Sequence, residues 1–201
     1  MRTYPALGLP LAALACVACA PVGGGGDPPT VHGALSAPIH PDAGCLVTID
    51  SPPLMPALHV PIPSDIQWDS NPPSSGPHYP IWAAFQAYTT PVPRGYYVHD
   101  LEHGAIVLLY SCDDDGGCPD VAAALQAVSD AIPTDPLCAS EGVRVRTVIT
   151  PDPLIDVPVA AAAWGWTYTA ACVDLTTLQE FALQHYGQGP ETLCSPGTTE
   201  F

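Results

Sequence analysis

Proline dominates the segment that runs from residue 52 to about residue 97. Nine prolines lie between residues 52 and 80 alone. Because proline lacks a backbone N–H and clashes with a preceding helical turn, little regular helix and no central strand can form here. Trp68, Tyr79 and Trp82 are interspersed with the prolines and give the segment apolar surface to bury. We therefore expect an ordered, proline-rich arm that wraps one face of the core.

Four stretches outside the densest proline region have the composition or alternation of β-strands. Residues 105–110, AIVLLY, are continuously apolar, which is typical of a strand buried on both faces. Residues 143–150, VRVRTVIT, alternate in the manner of a half-exposed strand. The other two candidates are CLVTID at residues 45–50 and the small, apolar stretch VAAAAWGWTYTAAC at residues 159–172.

Two stretches carry apolar residues at helical spacing. Residues 119–132 begin with Pro-Asp, which suits a helix start, and residues 174–187 begin with Asp174 as N-cap, with Gly187 just past the end. The order strand, helix, strand, strand, helix predicts an α+β fold. We expect a mixed β-sheet with two packed helices around a β-α-β-β-α core, of which a thioredoxin-like arrangement is one form.

The start of the chain has the character of a secretory signal peptide. Arg2 supplies a minimal positive region, and the apolar run that follows is too short to span a membrane as a helix. Cys16 and Cys19 each follow small residues. We therefore expect a lipoprotein-type signal peptide at residues 1–20, with Cys19 or Cys16 lipidated and the protein tethered in the cell envelope, either in the periplasm or on the outer surface.

The rest of the chain divides into a linker and one domain. Residues 21–44 are rich in Gly, Pro and Ala and predict a flexible linker, whereas residues 45–201 are long enough for a single globular domain. This domain contains six cysteines, an even number that predicts three disulfides in an exported protein. The pairs that we expect, as one choice among many, are Cys112–Cys118, Cys138–Cys172 and Cys45–Cys194.

The charge of the chain is strongly negative. There are 20 acidic residues against 4 basic ones, which gives a formal net charge of −16. Such a chain repels nucleic acid and anionic lipid, so we expect neither as a partner, and contact with a membrane only through the lipid anchor. We attribute most of the charge to the solubility of an exported protein, with attraction of cations as the alternative.

Two histidines, His99 and His103, lie four residues apart just before the apolar run at residues 105–110. On a strand they would be about 13 Å apart, too far to share an ion, whereas on one helical turn they are neighbours. Gly104 is a natural end for such a turn. We therefore expect VHDLEH to form a single turn that lets both imidazoles reach one metal.

Two more histidines lie in the proline-rich arm. His78 stands between Pro77 and the Tyr79-Pro80 pair, so its backbone is held extended and its ring is positioned at low entropic cost. His59 lies close before it in LHVPIP. Four histidines thus fall within 45 residues. The predicted metal ligands are His59, His78, His99 and His103.

The predicted metal is copper, with zinc close behind. Three or four neutral imidazoles suit Cu(II) or Zn(II). Disulfide bonding would leave no free thiolate, and Met55 is the only methionine after the leader, so a Cu(I) thioether site is disfavoured. Iron comes third, because it more often takes a carboxylate beside two histidines, and Glu102 could supply it. No organic cofactor is indicated.

Two alternatives remain open at this point. HDLEH, residues 99–103, matches the H-x-x-E-H zinc-peptidase motif with Glu102 in the general-base position, but the motif belongs inside a long helix and Gly104 follows at once. Glu102 and Asp100 could otherwise accept an imidazole N–H. The first alternative is a metal-dependent hydrolase or oxidoreductase that uses the same histidines with Glu102 as acid or base. The second is a structural or adhesive envelope module without metal.

Four stretches resemble, in order, a bacterial family of exported and membrane-anchored proteins of unknown function, marked by PPTSGPH and VHSLEHG motifs. They are NPPSSGPHYPIWA, VHDLEHGAIVLLY, AAWGW and HYGQGPE. The resemblance covers residues 45–193 and departs from the motifs at Ser74 and Asp100, neither of which is a predicted ligand. It implies that the motifs act as one unit and implies no particular activity. The resulting expectation is an extracytoplasmic, histidine-rich domain that binds a transition metal.

Overall fold

The structure is a computed structural model that describes residues 44–112 and 118–201, together with the backbone of residues 30–32. The predicted signal peptide, the two candidate lipidation cysteines and most of the predicted linker lie outside the described residues. None of the helices in the described part combines the length and apolar character that crossing a bilayer requires.

A mixed β-sheet forms the centre of the fold. Its strands are β1 (Thr30–His32), β2 (Cys45–Asp50), β3 (Ile106–Tyr110), β4 (Thr147–Pro151), β5 (Val159–Ala163) and β6 (Trp166–Ala170). Their spatial order is β1-β2-β6-β5-β3-β4, with β1 a short edge strand. β3 and β4 run parallel, and the other neighbouring pairs run antiparallel. The predicted α+β class with a mixed sheet is confirmed.

Within the described residues, three α-helices and a 3₁₀ helix accompany the sheet. They are α1 (Arg94–Glu102), α2 (Pro119–Ala131), the 3₁₀ helix (Pro136–Glu141) and α3 (Leu175–His185). The helices predicted from apolar spacing are α2 and α3. The carboxylate of Asp174 caps α3 by accepting hydrogen bonds from the backbone N–H groups of Thr176 and Thr177.

The sheet is covered on both faces, as the apolar run in β3 predicts. Ile106 and Leu108 point to the face that α2 and α3 cover. Val107 and Leu109 point to the opposite face, which α1 and the proline-rich arm cover. All four side chains are fully buried. At roughly 2 kcal/mol for each buried aliphatic side chain, β3 is a major source of apolar stabilisation.

Helix α1 was not predicted at its observed length. The expected single turn is a helix of nine residues, and residues 95–102 are all buried. Because this helix has no solvent-facing side, it lacks the polar and apolar periodicity by which a surface helix is detected. Gly95 permits the burial, since a Cβ there would lie 2.6 Å from the ring of Tyr79.

Two further predictions about strands were wrong. The stretch at residues 159–172 is a hairpin of β5 and β6 rather than one strand, and Gly165 allows the turn with φ of +76°. The alanines of this stretch show no alternation of polar and apolar residues, so the sequence does not reveal where one strand ends and the turn begins. Strand β4 is almost wholly buried rather than half-exposed, and both arginines of VRVRTVIT precede it.

The described part of the chain contains three disulfides, Cys45–Cys172, Cys112–Cys118 and Cys138–Cys194. The local pair was predicted correctly, and the two long-range pairs were exchanged. Cys45 opens β2 and Cys172 follows β6, and these strands are neighbours in the sheet. The pairing therefore depends on the spatial order of the strands, which spacing along the chain does not reveal.

The proline-rich arm is ordered through hydrogen bonds to the rest of the chain. Tyr79 donates its backbone N–H to the carbonyl of Gly95 at the start of α1. The backbone N–H of Tyr88 and the carbonyl of Gln86 both pair with Ile149 of β4. These bonds fix the arm across the face of the sheet on which α1 lies.

Candidate metal centre

The arm brings two of its histidines to the same point. His59 and His78 form an isolated parallel β-bridge. The backbone N–H of Val60 donates to the carbonyl of His78 over 2.8 Å, and the backbone N–H of His78 donates to the carbonyl of Leu58 over 2.9 Å. Their ring centroids lie 5.0 Å apart. The prolines around each histidine keep the two segments extended, which this pairing requires.

Helix α1 supplies two further side chains, His99 and Glu102. They are three residues apart and therefore lie on the same side of the helix. The ring of His99 lies 4.8 Å from that of His78 and 4.9 Å from that of His59, between centroids. Each of His59, His78, His99 and Glu102 offers one ligand atom, and these four atoms all lie within 4.8 Å of one another.

The separations within this group suit a small ion. Oε2 of Glu102 lies 3.0 Å from Nε2 of His78, 3.9 Å from Nε2 of His99 and 4.0 Å from Nε2 of His59. Two atoms bound tetrahedrally to one ion at 2.0–2.2 Å are about 3.3 Å apart. The cluster of three histidines and one glutamate could therefore bind a metal ion.

Hydrogen bonds to backbone carbonyls orient two of the imidazoles. Nδ1 of His78 lies 2.8 Å from the carbonyl oxygen of Gly76, and Nδ1 of His99 lies 2.6 Å from that of Tyr79. A carbonyl oxygen can only accept, so each Nδ1 carries the hydrogen. In the neutral rings the lone pair is then on Nε2, the atom that faces Glu102. This is the usual arrangement for histidines that bind a metal through Nε2.

Burial keeps His99 uncharged. Burial, together with the neighbouring His103, His78 and His59, lowers the pKa of His99 to about 4, although the hydrogen bond to the carbonyl of Tyr79 opposes the shift. The ring is therefore neutral at physiological pH, as ligation requires. The side chains of His78 and His99 are buried, whereas that of His59 is 54% exposed. The group meets solvent on the side of His59.

His103 lies beside the group rather than within it. Its ring centroid is 4.6 Å from that of His99, but its Nε2 faces Oε2 of Glu191 at 3.4 Å. The indole of Trp82 packs edge-on against it at 4.7 Å. Burial, followed by His78, Arg146 and His59, lowers the pKa of His103 to about 4. The four predicted ligands thus occupy one region, with Glu102 closer to the converging atoms than His103.

The two acidic residues of VHDLEH differ from each other in their surroundings. Asp100 is fully buried, and its Oδ2 accepts a hydrogen bond from the backbone N–H of Ala83 rather than from an imidazole. Burial holds the pKa of Asp100 well above its usual range. Glu102, which the sequence suggested as an acid, a base, an acceptor or an iron ligand, lies among the histidines. The i,i+3 spacing from His99 was the signal that could have placed it on the same side of the helix as that histidine.

A search of known families finds a model, described as a protein of unknown function (DUF3105), that matches residues 59–197. The chain belongs to the DUF3105 family. The resemblance inferred from the PPSSGPH and VHDLEHG motifs is therefore confirmed. The matched residues include all the side chains described above, from His59 to Glu191. No curated protein and no solved structure matches the chain.

Proposed function

We propose that this DUF3105 domain binds one transition-metal ion through His59, His78, His99 and Glu102. The observation that carries the proposal is the fixed orientation of His78 and His99. Both rings hold a hydrogen on Nδ1 through a backbone carbonyl, and both direct Nε2 towards a carboxylate that also only accepts. Acceptor atoms that converge without a hydrogen between them are stabilised by a cation.

Copper remains the first candidate and zinc the second. Three imidazoles and one carboxylate suit both ions, and Cu(II) binds most tightly to a given set of nitrogen and oxygen donors. All six cysteines of the described chain are in disulfides, which disfavours a soft, thiolate-based site. Iron stays third, supported by the carboxylate of Glu102.

A metal-dependent hydrolase or oxidoreductase is the second candidate function. It is supported by the exposure of His59, which gives a small molecule access to an ion held at the site. Against the peptidase form, the carboxylate of Glu102 lies among the proposed ligands and is not free to act as a separate base. A structural module without metal would not require the four side chains to converge.

We also propose that the domain works outside the cytoplasm, tethered through Cys19 or Cys16. Three disulfides support an oxidising compartment. The domain would then take up and release its metal ion within the cell envelope. A thioredoxin-like core remains a prediction, supported by the parallel β3–α2–β4 unit that antiparallel β5, β6 and α3 follow.

Elemental analysis of protein purified from its own cell envelope tests the proposal. We expect about one ion per wild-type chain and less than about a tenth of this in a His78→Ala, His99→Ala variant, because two of four ligands are lost. A His40→Ala variant, which removes an imidazole with no predicted role, should retain the metal. Equal metal in all three proteins would refute the proposal.

A further inference from the structure

The segment that follows α3 lies against the end of α1 at an unusually short distance. The backbone N–H of Gly187 donates to the carbonyl of Gly104 over 2.8 Å, and that of Glu191 donates to the carbonyl of Glu102 over 3.0 Å. A Cβ at position 189 would lie 2.2 Å from the carbonyl oxygen of Glu102. Only glycine at position 189 permits this approach, which holds the backbone of Glu191 beside the proposed ligand Glu102.

The side chain of Glu191 connects solvent with His103. It is 54% exposed, whereas the side chain of His103 is 1% exposed. Oε2 of Glu191 and Nε2 of His103 are 3.4 Å apart, close to the separation of about 3.3 Å between two ligands of one ion. The His103 ring is also 4.6 Å from that of His99, between centroids.

His103 differs from the proposed inner ligands in how its ring is supported. Nδ1 of His78 and Nδ1 of His99 donate to backbone carbonyls, whereas Nδ1 of His103 is buried and has no hydrogen-bond partner among the described residues. Loss of such a supporting bond typically weakens metal binding about 10- to 100-fold. His103 is therefore suited to bind an ion transiently, during exchange, rather than as a ligand of the stable site.

We propose that His103 and Glu191 form an exchange position, through which a divalent transition-metal cation passes between solvent and the four-ligand site. This inference rests on the proposed function. Glu191 replaces water on the incoming cation, Nε2 of His103 takes a second coordination position, and His99 is the next ligand inward. The same steps in reverse release the ion to an acceptor.

Kinetics of Cu(II) binding can test the exchange position with a native reporter. The indole of Trp82 lies 4.7 Å from the His103 ring and 5.1 Å from the His99 ring, so bound Cu(II) should quench its fluorescence. Stopped-flow measurements would follow the uptake of Cu(II) and its removal by a chelator. The proteins compared are the wild type, Glu191→Gln and, as a control with the same change of charge at an exposed position of α3, Glu180→Gln.

An exchange position lowers the activation barriers for metal uptake and for metal release by the same amount, so it changes both rates without changing the Kd. We expect Glu191→Gln to slow uptake and chelator-driven release by about tenfold each, and to change the Kd by less than about threefold. His103→Gln should behave in the same way, and Glu180→Gln should match the wild type in rates and Kd.

Two results would overturn the exchange position while leaving the four-ligand site intact. One is wild-type rates in Glu191→Gln. The other is a Kd weakened by about 10- to 100-fold with faster release, which would make Glu191 a support of the equilibrium site. Wild-type protein that binds no Cu(II) would instead overturn the proposed function itself. Near-ultraviolet circular dichroism checks that each variant is folded.

Discussion

Nε2 of His78 lies 3.0 Å from Oε2 of Glu102, and neither atom has a hydrogen to offer when the ring is neutral and the carboxylate ionised. Glu102 is the last residue of α1 and His78 is held between prolines in the arm. Two separate parts of the chain thus bring acceptor atoms together in a buried place. A cation bound between these two atoms would take both of them as ligands.

Replacement of Glu102 by glutamine should separate metal binding from stability. The amide has nearly the shape of the carboxylate but no charge, so we expect the affinity for Cu(II) or Zn(II), measured by calorimetry, to fall at least about tenfold. The amide N–H could donate to Nε2 of His78. We therefore expect the metal-free variant to be as stable as the wild type or about 1 kcal/mol more stable.

Glu180→Gln is the matched control for this variant, because it removes one carboxylate from an exposed position of α3. Its affinity should equal that of the wild type. If Glu102→Gln and Glu180→Gln bind metal equally well, Glu102 is not a ligand.

Gly189→Ala should disturb both the fold and the site. The added Cβ would lie 2.2 Å from the carbonyl oxygen of Glu102 and 2.3 Å from the backbone nitrogen of Gly104. Because both neighbours are backbone atoms, the segment must move, and we expect a loss of roughly 3 kcal/mol in the free energy of unfolding. Denaturant titration measures this loss.

Gly142→Ala provides the comparison for this substitution. Gly142 has φ of +69° but no atom within 4 Å of an added Cβ, so only backbone strain of about 1 kcal/mol is expected. Equal losses in the two variants would argue against the close approach at Gly189.

The three disulfides should contribute unequally to stability. In the chain-entropy account, Cys138–Cys194, with a sequence separation of 56, stabilises the fold by about 4 kcal/mol, whereas Cys112–Cys118, with a separation of 6, contributes about 2 kcal/mol. Thermal unfolding should therefore show a larger drop in Tm for the Cys138→Ala, Cys194→Ala variant than for the Cys112→Ala, Cys118→Ala variant. The reverse order would contradict this account.

Acid should weaken the ion pair of Asp135 with Arg146, whose guanidinium also donates to the backbone carbonyl of His103. The carboxylate of Asp135 is buried, which opposes ionisation, but hydrogen bonds from Tyr186, Leu137 and Arg146 outweigh burial and lower its pKa below the ordinary 3.8. A lowered carboxyl pKa contributes stability above the unfolded-state value, and this contribution is lost as the pH falls through the folded-state pKa.

Asp135→Asn tests this contribution. We expect the variant to be about 2 kcal/mol less stable than the wild type at pH 6, because Arg146 loses its charged partner. The difference should persist to about pH 4 and shrink below it, as measured by denaturant titration from pH 6 to pH 2. A difference that is independent of pH throughout this range would show that Asp135 does not titrate as proposed.

The elements that were predicted well are the helices with one buried and one exposed face and the short, continuously apolar strand β3. Helices α2 and α3 carry apolar residues on one face, and β3 is a short apolar run. Helix α1 was not predicted at its full length because it is buried on all sides. The β5–β6 hairpin was not predicted because alanines face both sides of the sheet in β5, so the sequence shows no alternation.

The candidate site was predicted in part, because its histidines lie on locally constrained segments. Glu102 was considered as an acid or base, an acceptor of an imidazole N–H or an iron ligand, because a carboxylate between two histidines in the sequence is compatible with each of these roles. The positions of Trp82 and Glu191 depend on the C-terminal segment, which folds back from far along the chain. Such long-range placement follows from the packed fold and leaves no local pattern in the sequence.

Anomalous diffraction from crystals soaked with Cu(II) or Zn(II) tests the central claim most directly. We predict one strong peak at about 2.0–2.2 Å from Nε2 of His59, His78 and His99 and from a carboxylate oxygen of Glu102. A strong peak bound by other residues, or no peak at these four side chains after soaking to saturation, would contradict the account.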